Sequence, residues 1–192
     1  FRAATLPHPN VHLVVRDDAS GIHGVQGGRF ETVLSGRGRV FGIKFRPGGF
    51  RPFMMAPVAN LWNRRLAIES VFGAAGAGFE AAVLETGDVG RCIDLAEELL
   101  GRRQPPPDPQ LDLAGRIVDE IAVDRELLTT DQLAQRHGLG ARTLQRLFRD
   151  YVGATPKWVI NRYRLHEATE RLREGRQVAW SELALSLGYF DQ

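Results

Sequence analysis

The sequence predicts an α+β chain, with a small β sheet or barrel and its helices first and an all-helical domain last. Three observations predict it. The segments VHLVV (11–15), RFETVL (29–34) and RVFGIKF (39–45) are short, rich in β-branched and aromatic residues, and separated by Gly and Asp clusters. The stretch GRRQPPPDP (101–109) holds three consecutive prolines, which cannot continue a helix and favour an extended spacer. Beyond it, apolar residues recur at helical spacing almost to the last residue. The predicted organisation is a first domain over 1–104, a linker over 105–109 and a helical domain over 110–192.

In the first domain Phe41, Ile43 and Phe45 alternate, as a half-buried strand does. RPFMMAPVANLWNRRL (51–66) reads as helical and is broken at Pro57. Residues 79–86 and 88–101 read as two helices, with Asp88 as an N-cap and Gly101 as a stop. In the second domain 110–124 reads as an amphipathic helix with Leu113, Ile117 and Ile121 on one stripe. Thr129 with Gln132 makes a capping box for a helix over about 130–137, and Gly138 is its left-handed stop. Gly140 then precedes a helix over 141–151. Thr155-Pro156, an N-cap followed by proline at the first helical position, starts a helix that runs to about Arg173. Trp158, Leu165, Ala168 and Leu172 share one face of it.

The stretch 129–151 is a short helix, a glycine turn and a second helix with two unlike faces. Leu144, Leu147, Phe148 and Tyr151 recur at i, i+3, i+4 and i+7 on the apolar side. Arg142, Gln145, Arg146 and Arg149 recur on the other. Arg can bond guanine O6/N7 bidentately and Gln can bond adenine N6/N7, so this face has the donors a DNA-reading helix needs.

Charge distribution points the same way. The whole chain has a formal net charge of +2, yet 136–176 holds ten Lys/Arg against four Asp/Glu, while 110–135 holds two Arg against six Asp/Glu. A local positive field is the footprint of phosphate binding, although a solvated helix surface looks alike in sequence. The one cysteine, Cys92, excludes an internal disulfide and reads as a buried thiol. No run approaches the roughly 18 apolar residues of a membrane span. The chain begins at Phe1 with no signal-peptide pattern, further residues are expected before it, and a cytoplasmic location is expected.

The motif repeats. Leu133-Ala134 with Gly138-Leu139 is echoed by Leu183-Ala184 with Gly188-Tyr189, fifty residues on. Both copies read L-A-x-x-x-G-apolar: a small residue that lets two helices cross closely, a glycine for the tight turn, and an apolar plug. The helix between them would span about 27 Å at 1.5 Å per residue. Adjacent major grooves on one face of B-DNA lie about 34 Å apart, so such a helix could hold two reading heads in successive grooves.

With these residues in view, the stretch from about Leu127 to Gln192 resembles the AraC/XylS family of transcription regulators. LAQRHGLGARTLQRLF, GATPKWVINRYRLHEA and ELALSLGYFDQ carry the resemblance. Many members have Ser where this chain has Gly140, and glycine is an acceptable N-cap. The family pattern continues with a second recognition helix, expected beyond Gln192. The resemblance implies an AraC-type double helix-turn-helix domain: a first motif over 129–151, a linker helix over 156–173 and a second motif over 178–192, incomplete here. It implies base reading by Arg142, Gln145 and Arg146. Thr143 is expected at a phosphate or base edge, and Arg149, Lys157 and Arg162 at the DNA backbone. Double-stranded DNA is the implied partner, with RNA polymerase, a small-molecule effector and a second copy of the chain as candidate further partners. Neither a catalytic role nor a cofactor is implied. Effector, operator, sign of regulation and oligomeric state are not encoded in anything legible here.

The first domain more weakly resembles an uncharacterised N-terminal domain of some family members, through FGIKFRPGGFRPFMMAPVANLWNRR (41–65). By that arrangement it implies a sensor. Phe50, Phe53, Met54 and Trp62, with Met55, either line an effector pocket or form ordinary core. His8, His12 and His23 lack the ligand spacing of a metal-binding cupin, and polar residues on or near a strand is the simpler reading. Arg46-Pro47-Gly48-Gly49-Phe50 reads as a structural turn rather than an anion loop. No catalytic constellation stands out. The alternative to a regulator is a small-molecule-binding or enzymatic β domain with a helical appendage that meets protein.

Overall fold

The computed structural model describes residues 2–33, 36–103, 106–175, 177 and 179–186. It is α+β in the order expected. Strands β1 (Arg2–Thr5) and β4 (Phe30–Val33) pair as an antiparallel ribbon. Strands β2 (His12–Val15), β3 (Gly21–His23), β5 (Phe41–Lys44) and β6 (Arg65–Leu66) form an antiparallel sheet ordered β5-β2-β3-β6. Alternation along β2 sends Leu13 and Val15 into the core and His12 and Val14 to the opposite face.

Helices α1 (Ile68–Phe72), α2 (Ala74–Glu85) and α3 (Val89–Gly101) cover the core face, where Leu13 and Ile22 meet Phe72, Phe79, Val83 and Leu99. Asp88 caps α3 by accepting a 2.8 Å hydrogen bond from the Gly90 N–H, the role expected of it. Cys92 is buried on this helix.

Residues 51–66 depart from the helical reading. They form two 3₁₀ turns, Arg51–Phe53 and Val58–Leu61, before β6. Pro52 and Pro57 each remove an amide donor, and the residue before a proline is pushed out of the α region, so no α-helix can run through. Of the two readings of Phe50, Phe53 and Met54, pocket lining or ordinary core, their packing favours the second. Phe50 and Met54 are 1% and 9% exposed, and Phe53 packs its ring on Phe45, Phe50 and Phe72. These three are core because the domain is small and its largest apolar side chains must fill it. Met55 alone is fully exposed. Trp62 lies apart from them, edge-on to Trp158 with ring centroids 5.1 Å apart.

The helical part comprises α4 (Pro109–Val123), α5 (Thr130–Arg136), α6 (Ala141–Leu147), α7 (Pro156–Arg173) and α8 (Trp180–Ser186). Its core gathers Ala114, Ile117 and Ile121 of α4, Leu133 of α5, Leu144 and Leu147 of α6, and Val159 and Ile160 of α7. Val25, from the loop after β3, is buried in this second core rather than the first. Asn63 makes that crossing possible. It adopts a left-handed backbone (φ 55°), which Asn tolerates better than most residues, and its side-chain oxygen accepts the Gly27 N–H at 2.7 Å. The loop is thereby held against α7. No described helix is long and apolar enough to cross a membrane.

Candidate nucleic-acid interface

The first helix-turn-helix is built by its caps and its core. Thr129 accepts from the Gln132 N–H while Gln132 Oε1 accepts from the Thr129 N–H at 3.0 Å, so the predicted capping box is complete. At the far end of α5, Gly138 turns at φ 61°, and the Leu139 N–H reaches back to the Ala134 carbonyl at 2.9 Å. Arg136 binds both Glu120 and Asp124, and His137 Nε2 lies 2.7 Å from Glu120. The hydrogen bond from Arg136, then that from His137, holds the Glu120 carboxyl below the usual range. These contacts fix α5 on α4.

Helix α6 then projects with one face in the core. Leu144, Leu147 and Phe148 are 1%, 3% and 0% exposed. The opposite face presents Arg142, Gln145 and Arg146 to solvent, with Thr143 exposed near the N-terminus. Arg142 and Arg146 take part in no ion pair among the described residues. Arg149 is exposed and donates to Asp150 at 2.8 Å, a hydrogen bond that raises its pKa.

After Leu147 the helix widens. Phe148–Val152 is a π turn, closed by the Gly153 N–H on the Phe148 carbonyl at 2.8 Å. Phe148 and Val152 both face the core. Gly153 (φ 85°) ends it, and a Cβ there would come within 2.8 Å of the Val58 side chain, so only glycine suits the site. Tyr151 is consequently half-buried rather than core. Its hydroxyl donates to Asp108 at 2.8 Å, and Arg51 lies 5.7 Å from its ring centroid. Burial first, and this hydrogen bond second, push its phenol pKa up.

Helix α7 begins where expected, with Thr155 accepting from the Trp158 N–H. Lys157 is exposed and shares a cleft with Gln145 and Arg149. A cleft of about 730 Å3 runs between the two parts, lined by Gln145, Arg149, Lys157 and Trp158 on one side and Ala59 and Trp62 on the other.

Arg162, expected at the DNA backbone, is corrected. It is 5% exposed, donates to the Gly27 carbonyl, and stacks over the Trp158 ring at 4.5 Å. Position on the wrong side of α7 and engagement with the N-terminal loop remove it from any phosphate. Trp158 and Arg162 are four apart, a spacing that places them on one helix face and could have flagged the pair. Arg164 was not singled out by sequence. It is 4% exposed, donates to the Ile121 carbonyl, and pairs with Glu167 at 3.1 Å. Its signal was a charge within the buried series Ile160, Arg164, Ala168.

The second copy of the motif cannot be placed. The Leu183 side chain, Gly188, Tyr189 and the rest of 187–192 lie outside the described residues.

Residues 133–192 match the family described as a helix-turn-helix domain, and residues 1–67 match one described as a domain of unknown function (DUF6597). No curated protein and no solved structure matches the chain. The capped, core-anchored pair α5–α6 lies largely inside the matched stretch, which begins at residue 133. The C-terminal part of the chain is therefore a helix-turn-helix domain of the AraC type, a DNA-binding module.

Proposed function

We propose that the chain reads a specific DNA sequence through α6 in the major groove, with Arg142, Gln145 and Arg146 on base edges and Thr143, Arg149 and Lys157 on or near the backbone. The observation that carries this reading is the division of α6 into a fully buried face and a face of exposed long donors. Bidentate Arg–guanine and Gln–adenine pairs each contribute about 1–3 kcal/mol of discrimination, enough to specify a short site. The role is binding rather than catalysis, in the cytoplasm alongside DNA.

In the same proposal residues 1–104 regulate 110–192 across the 105–109 linker. Contacts between the two parts support it: Val25 in the helical core, Trp62 against Trp158, and the Gly27 carbonyl accepting from both Trp158 Nε1 (3.4 Å) and Arg162. A change in the β part therefore has a physical route to the linker helix.

Selection from a randomised duplex pool with the full chain tests the reading. A recovered consensus whose affinity falls linearly in log–log with salt is expected. Recovery of no consensus, with binding indifferent to sequence, would remove base reading by α6.

A further inference from the structure

The face of the four-stranded sheet turned away from the core is the floor of a second cavity, of about 450 Å3, roofed by the β1–β4 ribbon. That volume lies in the ordinary range for small-molecule sites, about 300–1,000 Å3. The strand register assembles the floor. His12 is the partner of Lys44 on β5 and of His23 on β3, so Lys44, His12 and His23 stand in one row across three strands. Arg65 extends the row on β6 as the partner of His23. The residues lining the cavity include no Asp or Glu, and its remaining wall is largely apolar, with Leu6, Val14 and Phe30.

His12 and His23 are half-buried in the cavity wall and Lys44 is exposed. Arg65 stands outside the lining, and Arg16, which also lines the cavity, is paired with Asp18. No lining carboxylate answers Lys44 and the two histidines. Burial lowers the pKa of His12, and Lys44 lowers it further; burial and then Arg65 do the same for His23. A bound anion would relieve both effects, because opposite charge favours the protonated form. A metal ion would not. Lys44 repels it, and no group of three potential ligands converges among the described residues.

We propose that this cavity binds a small organic anion, a carboxylate on an apolar body, with its charge over Lys44 and His12 and its body against Val14 and Phe30. The site is wired to α7. His8 lines the cavity and stacks on His166 of α7, with ring centroids 3.8 Å apart and planes 2° from parallel. Gln26 lines it as well, one residue before the carbonyl that holds Trp158 and Arg162. An occupant thus touches the two segments that clasp the linker helix. This regulatory consequence rests on the reading that the helical part binds DNA, whereas the anion site does not.

The test is calorimetric titration of the full chain with 2-naphthoate, with octanoate, and with neutral 2-naphthamide. Saturable binding of at least one carboxylate is expected, with naphthoate at least tenfold tighter than the amide. Lys44→Met should lose tenfold or more of carboxylate affinity and leave the amide unchanged. Val14→Trp should block both, and Ala19→Phe serves if that variant fails to fold. Equal binding of acid and amide, full affinity in Lys44→Met, or no saturable binding of either carboxylate overturns the site. Carboxylate binding that leaves DNA affinity unchanged overturns the coupling. Carboxylate binding by a chain that does not bind DNA overturns the DNA reading and not the anion site.

Discussion

Helices α6 and α7 are both rich in arginine, and they use it in opposite ways. On α6, Arg142 and Arg146 stand in solvent, opposite a face made of Leu144 and Leu147. On α7, Arg162 and Arg164 are buried and committed to the Gly27 and Ile121 carbonyls, and Arg171 and Arg173 are tied to Glu167 and Glu170. Charge count alone would make α7 the better nucleic-acid helix. Burial reverses that ranking. An arginine available to DNA is one the protein has not already used, and α7 commits its arginines to carbonyls and carboxylates of the fold, Arg162 reaching across to the N-terminal loop.

The comparison can be broken most forcefully at Arg164. Its replacement by Ala strips a buried carbonyl and Glu167 of their partner, and loss of one member of a buried pair costs about 3 kcal/mol or more. A urea-unfolding midpoint close to wild type would show that the buried arginines of α7 hold nothing. The α5–α6 pair rests instead on a cap and on apolar packing, so its polar losses should be smaller. Thr129→Ala removes one half of the capping box and should cost about 1 kcal/mol, read by the same unfolding curves.

A smaller effect is expected from pH. Burial, and then the stacked His166, lower the pKa of His8 to about 4, and burial lowers His12, His23 and His166 below their ordinary value. Unfolded histidine titrates near 6.5. Below that pH the unfolded chain takes up protons the folded chain refuses, so this part of the stability is complete above about 6.5 and is lost as pH falls toward 4. The melting midpoint should therefore begin to drop before the carboxylates titrate. His8→Phe keeps a ring against His166 and should flatten that early slope; an unchanged slope would place the titrating group elsewhere.

Much of the helical part was legible because its signals are local. Thr129 with Gln132, Gly138 and Thr155-Pro156 each act within four residues, and the start of α7 follows from the last of them. The β part was legible where β-branched and aromatic runs lie between Gly and Asp clusters, as at 11–15 and 29–34, and where residues alternate, as at Phe41 and Ile43. Strands β3 and β6 are three and two residues long, too short for a period to register, and they exist because β2 offers an edge to β3 and β3 in turn offers one to β6. The fate of Phe53 and of Arg162 depends on residues far along the chain, Phe72 and Gly27 among them. The basic row is likewise a product of register: His12, His23 and Lys44 are unrelated by any sequence spacing, and only strand pairing aligns them.

The central claim is that α6 reads bases with side chains it does not need for folding, and Arg146→Ala tests it most directly. Fluorescence anisotropy of the full chain on its selected site, and on single-base variants of that site, should show a roughly 5- to 150-fold loss of affinity and flattened discrimination at one position, equivalent to about 1–3 kcal/mol, with the unfolding midpoint unmoved. Wild-type affinity with intact discrimination at every position would contradict the account.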